Sequence, residues 1–216
     1  MEKFDVIVVG AGTAGCLTAK TAAKAGLKVC LIDRKRSEDI GEKVCGDAIG
    51  KHHLDAVSLA YPKGEELHNR VQGVKIYSPD METVFEIKGE RLYGFILNRR
   101  LFGQRLLHDA VDAGATLLHS TIATDPILQH GFVKGVVVNH EGEKETLASN
   151  IVIDAEGVSS SLLKKAGYPT LNRFDAVNAV HAEVANIINV KSDAVEVYFG
   201  RKYAPGFYAW IIPRRD

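Results

Sequence analysis

Residues Phe4 to Lys35 read F-D-V-I-V-V-G-A-G-T-A-G-C-L-T-A-K-T-A-A-K-A-G-L-K-V-C-L-I-D-R-K. The apolar run Val6 to Val9 is rich in β-branched residues and predicts a buried strand. Gly10, Gly12 and Gly15 then follow in G-x-G-x-x-G spacing, and a helical pattern runs from about Ala14 to Ala25. Gly26 stands where a helix C-cap glycine belongs, and a second strand, Lys28 to Ile32, ends on Asp33. The three glycines act differently. Gly10 permits the tight turn, Gly12 lets a pyrophosphate approach the backbone, and Gly15 lets helix and strand pack closely. The amides at the helix start, at Thr13 and Ala14, combine with the positive end of the helix dipole to favour a phosphate. Asp33, about 20 residues beyond the glycines, is placed to accept hydrogen bonds from a ribose hydroxyl. Strand, glycines, helix, second strand and acid occur in register, as the dinucleotide fingerprint requires. The unit does not separate FAD from NAD.

Working outward, the 216 residues are 46% hydrophobic and 25% charged, the balance of an ordinary globular chain. Lys plus Arg and Asp plus Glu are 27 each, so no net charge favours nucleic acid or an anionic membrane. No apolar run approaches the roughly 18 residues of a membrane span. The N-terminus lacks a signal-peptide layout, and the expectation is a cytoplasmic chain. Three cysteines, Cys16, Cys30 and Cys45, form no C-x-x-C pair, so neither zinc nor iron–sulfur ligation is indicated. The adjacent His52 and His53 read as a solvated loop pair, and no metal site is expected.

Arg34 to Asp47 is polar, glycine-bearing and without period, which predicts a long loop of the kind that often carries function. Its basic start, from Arg34 and Lys35, is placed to flank phosphates or the adenosine end of a cofactor, and a solvated charged surface is the alternative for Lys35 and Arg36. In Cys45-Gly46-Asp47 a small residue and a glycine allow backbone to approach a flat ring, and a buried structural cysteine is the alternative. Val71 to Ile87 reads as a hairpin turning at Ser78-Pro79-Asp80. Asn98 to Ala113 reads as a helix N-capped by Asn98, with Leu101, Phe102, Leu106, Ala110 and Val111 on one side. Arg99 and Arg100 fall in its first turn, where a nearby anion would offset their conflict with the helix dipole. Thr116 to His119 and Gly135 to Asn139 predict strands. Ile151 to Asp154 predicts another, ending at Glu156 and Gly157 and followed by a helix for which Ser159, Ser160 and Ser161 are N-cap candidates. Ala176 to Val184, Val195 to Phe199 and Phe207 to Ile212 read as antiparallel strands. Tyr208 and Trp210, two apart, share a face.

Several motifs line up in the order of one family. The fingerprint from Gly10 to Asp33, Lys43-Val-Cys45-Gly46-Asp47, Phe95-Ile-Leu-Asn-Arg99-Arg-Leu-Phe102, Ile153-Asp-Ala-Glu156-Gly157-Val-Ser-Ser160, Tyr198-Phe-Gly200 and Ala204-Pro205-Gly-Phe-Tyr208-Ala-Trp210-Ile-Ile-Pro213 are quoted in chain order. Together they resemble the geranylgeranyl reductase family of FAD-dependent oxidoreductases, within the flavoprotein group that includes aromatic hydroxylases. Four positions depart from its pattern: Glu156 stands for Asp, Ser161 for Arg, Ile212 for Phe and Gly103 for Asp.

The resemblance implies an α/β fold: a Rossmann-like FAD-binding domain (1–70 and 90–170) interleaved with an antiparallel substrate-side sheet (71–89 and 171–216). Family members are about twice as long, which implies a C-terminally truncated, N-terminal portion. The implied cofactor is FAD, held by Gly10, Gly12, Thr13, Ala14, Gly15, Asp33, Arg34, Lys35, Cys45, Gly46, Asp47, Arg99, Glu156 and Gly157. Pro205, Tyr208 and Trp210 would line the substrate channel, with Cys45 and Tyr208 as catalytic candidates. The implied reaction reduces C=C bonds of a geranylgeranyl or other isoprenoid lipid, using an external electron donor (ferredoxin, NADPH or a deazaflavin). An apolar substrate implies peripheral contact with a membrane. An FAD-dependent monooxygenase or halogenase, and a non-catalytic nucleotide-binding remnant, are the alternatives.

Overall fold

The computed structural model describes residues 2–172, 176–188 and 190–214. In chain order its strands are β1 (Glu2–Val9), β2 (Val29–Ile32), β3 (Ala48–Gly50), β4 (Leu67–Val71), β5 (Gly73–Tyr77), β6 (Val84–Lys88), β7 (Gly94–Leu97), β8 (Thr116–Leu118), β9 (Thr121–Gln129), β10 (Phe132–His140), β11 (Glu143–Asp154), β12 (Ala194–Phe199) and β13 (Tyr208–Ile211). The helices are α1 (Thr13–Lys24), α2 (Lys51–Ala56), α3 (Arg99–Asp112) and α4 (Ser161–Lys165). The chain divides into two compact units, 1–43 with 103–179 and 44–102 with 180–216. Segments 44–70 and 90–102 thus pack with the second unit, unlike the division expected from motif order, because β3, β4 and β7 pair with one another. This is a boundary of packing; which segment serves which ligand is a matter of chemistry.

The first unit is built on a six-stranded sheet in the order β8-β2-β1-β11-β10-β9. β8, β2, β1 and β11 run parallel, and the β10 and β9 pairings are antiparallel. All four residues of β2 are buried, as a parallel strand covered on both faces should be. The core gathers Phe4, Ile7, Val9, Cys30, Ile32, Val136, Val138 and Leu147. α1 packs through small side chains, Gly15, Cys16, Ala19 and Ala23, which lets its axis approach closely. It ends as its sequence predicts: Gly26 takes φ +82°, and the amide of Leu27 donates to the carbonyl of Ala22 at 3.3 Å. Asn98 caps α3, its Oδ1 accepting from the Leu101 amide at 3.2 Å. The buried stripe of α3 is Phe102, Leu106, Leu107 and Ala110, whereas Val111 is exposed. The stripe is therefore turned by about one residue from the expected one.

The second unit holds two sheets, β13-β12-β5-β6 and β3-β7-β4. The expected hairpin is β5–β6, closed by the Ser78 amide donating to Thr83 O at 2.9 Å. β12 pairs antiparallel with β13 but parallel with β5, which corrects the all-antiparallel expectation for this sheet. Ala176 to Val184 forms no strand; Val177, Val180 and Val184 are exposed. Its loose alternation mixes Ala, Asn, His and Glu with Val and offers no apolar face to bury. The strands β3, β4 and β7 escaped the sequence reading, as did β9 in the first unit, and His52 and His53 lie on α2 rather than in a loop, both solvent-exposed.

Candidate functional site

In the first unit the parallel register sets Val9 opposite both Ile32 and Asp154, so the carboxyl ends of β1, β2 and β11 lie side by side. Ligands of open α/β sheets bind at such strand ends. A Cβ on Gly10 would lie 2.4 Å from the carbonyl oxygen of Ala155, and one on Gly15 would lie 1.7 Å from that of Gly10. Neither position admits a side chain. Gly12 differs: it is exposed, and nothing lies within 4 Å of where its Cβ would be. That open cradle sits at the N-terminus of α1, which has no side-chain cap and no acid in its first turn.

Asp33 joins the turn to β2. Its Oδ2 accepts from the Ala11 amide at 2.7 Å and its Oδ1 from the Lys35 amide at 2.9 Å. Each oxygen retains a lone pair for a ligand hydroxyl. Lys35 sends its ammonium back to the carbonyl of Glu42, and Arg34 is exposed. Asp154 receives the Glu156 amide on Oδ1 at 2.9 Å, while its Oδ2 is buried without a partner. These residues fit a dinucleotide: an open cradle at Gly12, a carboxylate with spare lone pairs on Asp33 and, among the described residues, an unsatisfied acceptor on Asp154 stand at neighbouring strand ends.

Glu156 plays a different part. Its Oε1 accepts from Ser161 Oγ at 2.9 Å and its Oε2 from the Leu162 amide at 2.8 Å. No serine side chain caps α4, so Glu156 supplies the cap expected of Ser159, Ser160 or Ser161. The longer carboxylate and the hydroxyl at position 161 act together, which accounts for two of the four departures noted in the sequence. Gly103 accounts for a third: a Cβ there would come within 2.3 Å of Gly41 Cα, leaving no room for an aspartate.

In the second unit the Cys45-Gly46-Asp47 turn meets the terminal aromatic strand. A Cβ on Gly46 would approach Ile212 Cδ1 to 2.6 Å and Trp210 Nε1 to 3.4 Å. Asp47 is 7% exposed, and its Oδ2 accepts from Arg214 Nη2 at 2.9 Å. Burial pushes its carboxyl up from the ordinary value, while the charges of Arg214, Arg99 and His181 pull it back. Arg99, in the first turn of α3, is thus among the positive charges acting on Asp47. Cys45 is a half-buried free thiol.

Directly paired strand residues share a face of their sheet. The pairs Phe199–Tyr208, Val197–Trp210, Val197–Ile76 and Ile76–Phe85 therefore set an apolar and aromatic row across all four strands. Val195, Val74 and Ile87 extend it, and Phe85, Ile87 and Phe199 are exposed. Tyr208 and Trp210 meet edge to face with centroids 6.1 Å apart, and Phe207 stacks on Tyr208 at 4.8 Å. Pro205 is exposed in the turn before β13. The opposite face is polar: Lys75 lies 3.8 Å from the buried Glu196, which also accepts from Tyr198 at 2.6 Å.

Sequence reasoning missed Arg214, whose position two residues past Ile212 continues the side of the strand that carries Trp210. It also missed a cavity of about 800 Å³ in the second unit, lined by Lys51, Tyr61, Arg70, Tyr93 and Phe95 among others. These come from α2, β4, β7 and the loops that hold Tyr61 and Tyr93, and no spacing in the sequence connects them. Among the described residues no group of His, Cys, Asp or Glu is placed to hold a metal, and no helix is long and apolar enough to cross a membrane.

Comparison with known proteins agrees with this geometry. The profile of the family described as lycopene cyclase protein matches residues 5–184. A digeranylgeranylglycerophospholipid reductase of Sulfolobus acidocaldarius is 38% identical over 98% of this chain and 48% of its own length. One of the same name from Methanocella arvoryzae is 35% identical over 100% of this chain and 55% of its own. The chain spans about half the length of the curated relatives it matches. Among solved structures, a geranylgeranyl bacteriochlorophyll reductase-like protein of Thermoplasma acidophilum superposes with a TM-score of 0.83 at 28% identity, over 99% of this chain and 54% of that one. A myxobacterial FAD-dependent chondrochloren halogenase superposes with 0.78 at 15% identity, over 100% and 51%, which is likeness of fold. With the fingerprint, the Cys45 turn and the aromatic strand in place, the chain belongs to the family of the lycopene cyclase profile, and along its whole length it is similar to proteins named digeranylgeranylglycerophospholipid reductase.

Proposed function

We propose that the chain is the FAD-binding and substrate-wall portion of a reductase acting on C=C bonds of isoprenoid lipids. The observation that carries this reading is the apolar row from Phe85 to Trp210, with the Cys45-Gly46-Asp47 turn seated on its Trp210 end. A polyprenyl chain has no hydrogen-bonding groups, so its recognition rests on apolar area and exclusion of water. The names of the similar proteins support a glycerophospholipid precursor as substrate.

FAD would be held by the open turn at Gly12, Thr13 and Ala14 and by Asp33, with Gly10 and Gly15 shaping the turn. The backbone at Gly157, and Arg34 and Lys35 beside Asp33, would complete the nucleotide end. When bound and reduced, FAD supplies the hydride, and an external donor restores its electrons. The chain's own residues position the alkene and keep water out. Tyr208 and Trp210 form the wall, Pro205 shapes its approach, and Cys45 and Tyr208 are the protic groups available to place a proton on the second carbon. Hydride and proton together add two hydrogen atoms across the double bond. A lipid substrate brings the protein to the membrane surface.

The test incubates the chain with FAD, dithionite and a geranylgeranyl glycerolipid, then measures the lipid by mass spectrometry. Lipid gaining the mass of two hydrogen atoms per reduced bond is the expected result. Unchanged lipid in a sample whose flavin is demonstrably bound overturns the reading.

A further inference from the structure

The cavity of about 800 Å³ lies wholly within the second unit and takes no part in the glycine turn or the Cys45 loop. Its wall carries the permanent cations of Lys51, Arg70, Lys88 and Arg91 against the carboxylates of Asp55 and Glu90. The acids do not cancel the arginines. Asp55 is taken by the Lys51 ammonium at 2.7 Å and by the Tyr61 hydroxyl. Lys88 is drawn off to Glu86 at 2.9 Å and Asp193 at 3.8 Å. Among the described residues, neither Arg70 nor Arg91 has a carboxylate within ion-pair distance. Arg70 is held instead by neutral groups: Nη1 donates to the Tyr93 hydroxyl at 3.0 Å, and the guanidinium lies 5.6 Å from the centre of the Phe95 ring. Most of its N–H donors are left for a ligand, and Tyr93, in accepting that bond, keeps its own O–H to give. A planar guanidinium fork beside a hydroxyl suits an oxyanion with several acceptor oxygens, above all a phosphate. The volume is that of a site for an organic molecule rather than a bare ion. Gln72 and Lys88 place the cavity at one end of the β5–β6 pair, one register position past Val74–Ile87, where the apolar row ends.

We propose that this cavity binds a phosphate ester, with Arg70, Arg91 and Tyr93 holding the phosphate and the ring of Tyr61 bordering the organic part. A lipid headgroup would bring such an ester to the end of the apolar row, and that source rests on the isoprenoid-lipid reading above. A soluble ester does not.

The test is a calorimetric titration of the full chain with three probes: glycerol 1-phosphate, detergent micelles carrying phosphatidic acid, and micelles carrying the diacylglycerol of the same chains. It is repeated in Arg70→Gln, Arg70→Lys and Arg91→Gln, with circular dichroism and melting temperature as controls. Each glutamine variant is expected to weaken binding of the phosphate probes by about tenfold or more, as loss of a charge-assisted hydrogen bond does. Arg70→Lys, which keeps the charge without the fork, is expected to restore part of it. Arg91 is exposed, so Arg91→Gln still decides the matter if Arg70→Gln does not fold. Binding of glycerol 1-phosphate supports the site with a soluble ester as ligand, and binding of phosphatidic acid micelles alone supports it with a headgroup. No binding of either phosphate probe by the folded wild type overturns the proposal. Unchanged binding in the folded glutamine variants also overturns it, since a phosphate held at the α1 turn would survive both changes. Diacylglycerol micelles bound as well as phosphatidic acid micelles, with no response to glycerol 1-phosphate, overturn it too. None of these readouts needs bound flavin or turnover, so they stand apart from the test of the reductase reading.

Discussion

Gly12 and Gly15 carry the same letter in the sequence and opposite constraints in the fold. A methyl at position 15 collides with the Gly10 carbonyl, whereas one at position 12 meets open space, with φ at −75°. Gly15→Ala is therefore expected to destabilise the chain by about 3 kcal/mol, the upper range for overpacking, read from the urea midpoint. Gly12→Ala is expected to keep stability within about 0.5 kcal/mol while weakening FAD binding, read by flavin fluorescence. The reverse pattern would remove the ligand cradle from the account. Spacing alone identified the glycine turn, because each position answers to a local backbone constraint. Glu156 was not legible in the same way. Its carboxylate reaches five and six residues forward to Ser161 and Leu162, so its side chain serves α4. Glu156→Ala is expected to cost about 1 kcal/mol, as loss of a helix cap does, and Glu156→Gln less. An unchanged urea midpoint in both would refute the cap.

At the scale of elements, α1 and β2 each bury a cysteine. An unfolded thiol ionises near 9.0 and these two near 12, through desolvation first and then the negative charges of Asp33 beside Cys16 and Glu2 beside Cys30. Each thiol thus contributes stability that is complete below pH 9.0 and is lost as pH rises towards 12. The slope is about 1.4 kcal/mol per pH unit for each thiol. Urea midpoints between those limits are expected to fall more steeply in wild type than in a Cys16→Ala, Cys30→Ala double variant; parallel slopes would contradict the burial. The β5–β6 hairpin and β12–β13 were legible because each combines local alternation with a nearby turn. The parallel β12–β5 pairing was not, since it joins residues more than a hundred positions apart; β3 has only three residues, and β4 turns the polar Asn69 inward, which hides its alternation. On the edge strand β6, Phe85→Ser is expected to leave stability within about 0.5 kcal/mol, since Phe85 is 60% exposed. The same change is expected to weaken binding of an isoprenoid lipid, measured by co-sedimentation; unchanged lipid binding would place the substrate elsewhere.

At the scale of the molecule, the balanced charge of 27 acids and 27 bases leaves recognition to shape and apolar area rather than to long-range attraction. The chain matches about half of each curated relative, and within that half both the glycine turn between β1 and α1 and the apolar row across β13, β12, β5 and β6 are formed. The family motifs were legible as short signatures, while the way Asp47, Gly46, Trp210, Ile212 and Arg214 come together required the fold. Trp210 is the single tryptophan of the chain, so its emission reports on the wall without a label. The most direct measurement is therefore Trp210 fluorescence during titration of the FAD-loaded protein with a geranylgeranyl glycerolipid in detergent micelles, against micelles carrying the saturated lipid's headgroup alone. A saturable blue shift is expected with the isoprenoid lipid, reduced in Phe85→Ser and absent with the headgroup. An emission maximum that does not move, in protein whose bound flavin is visible, would contradict it.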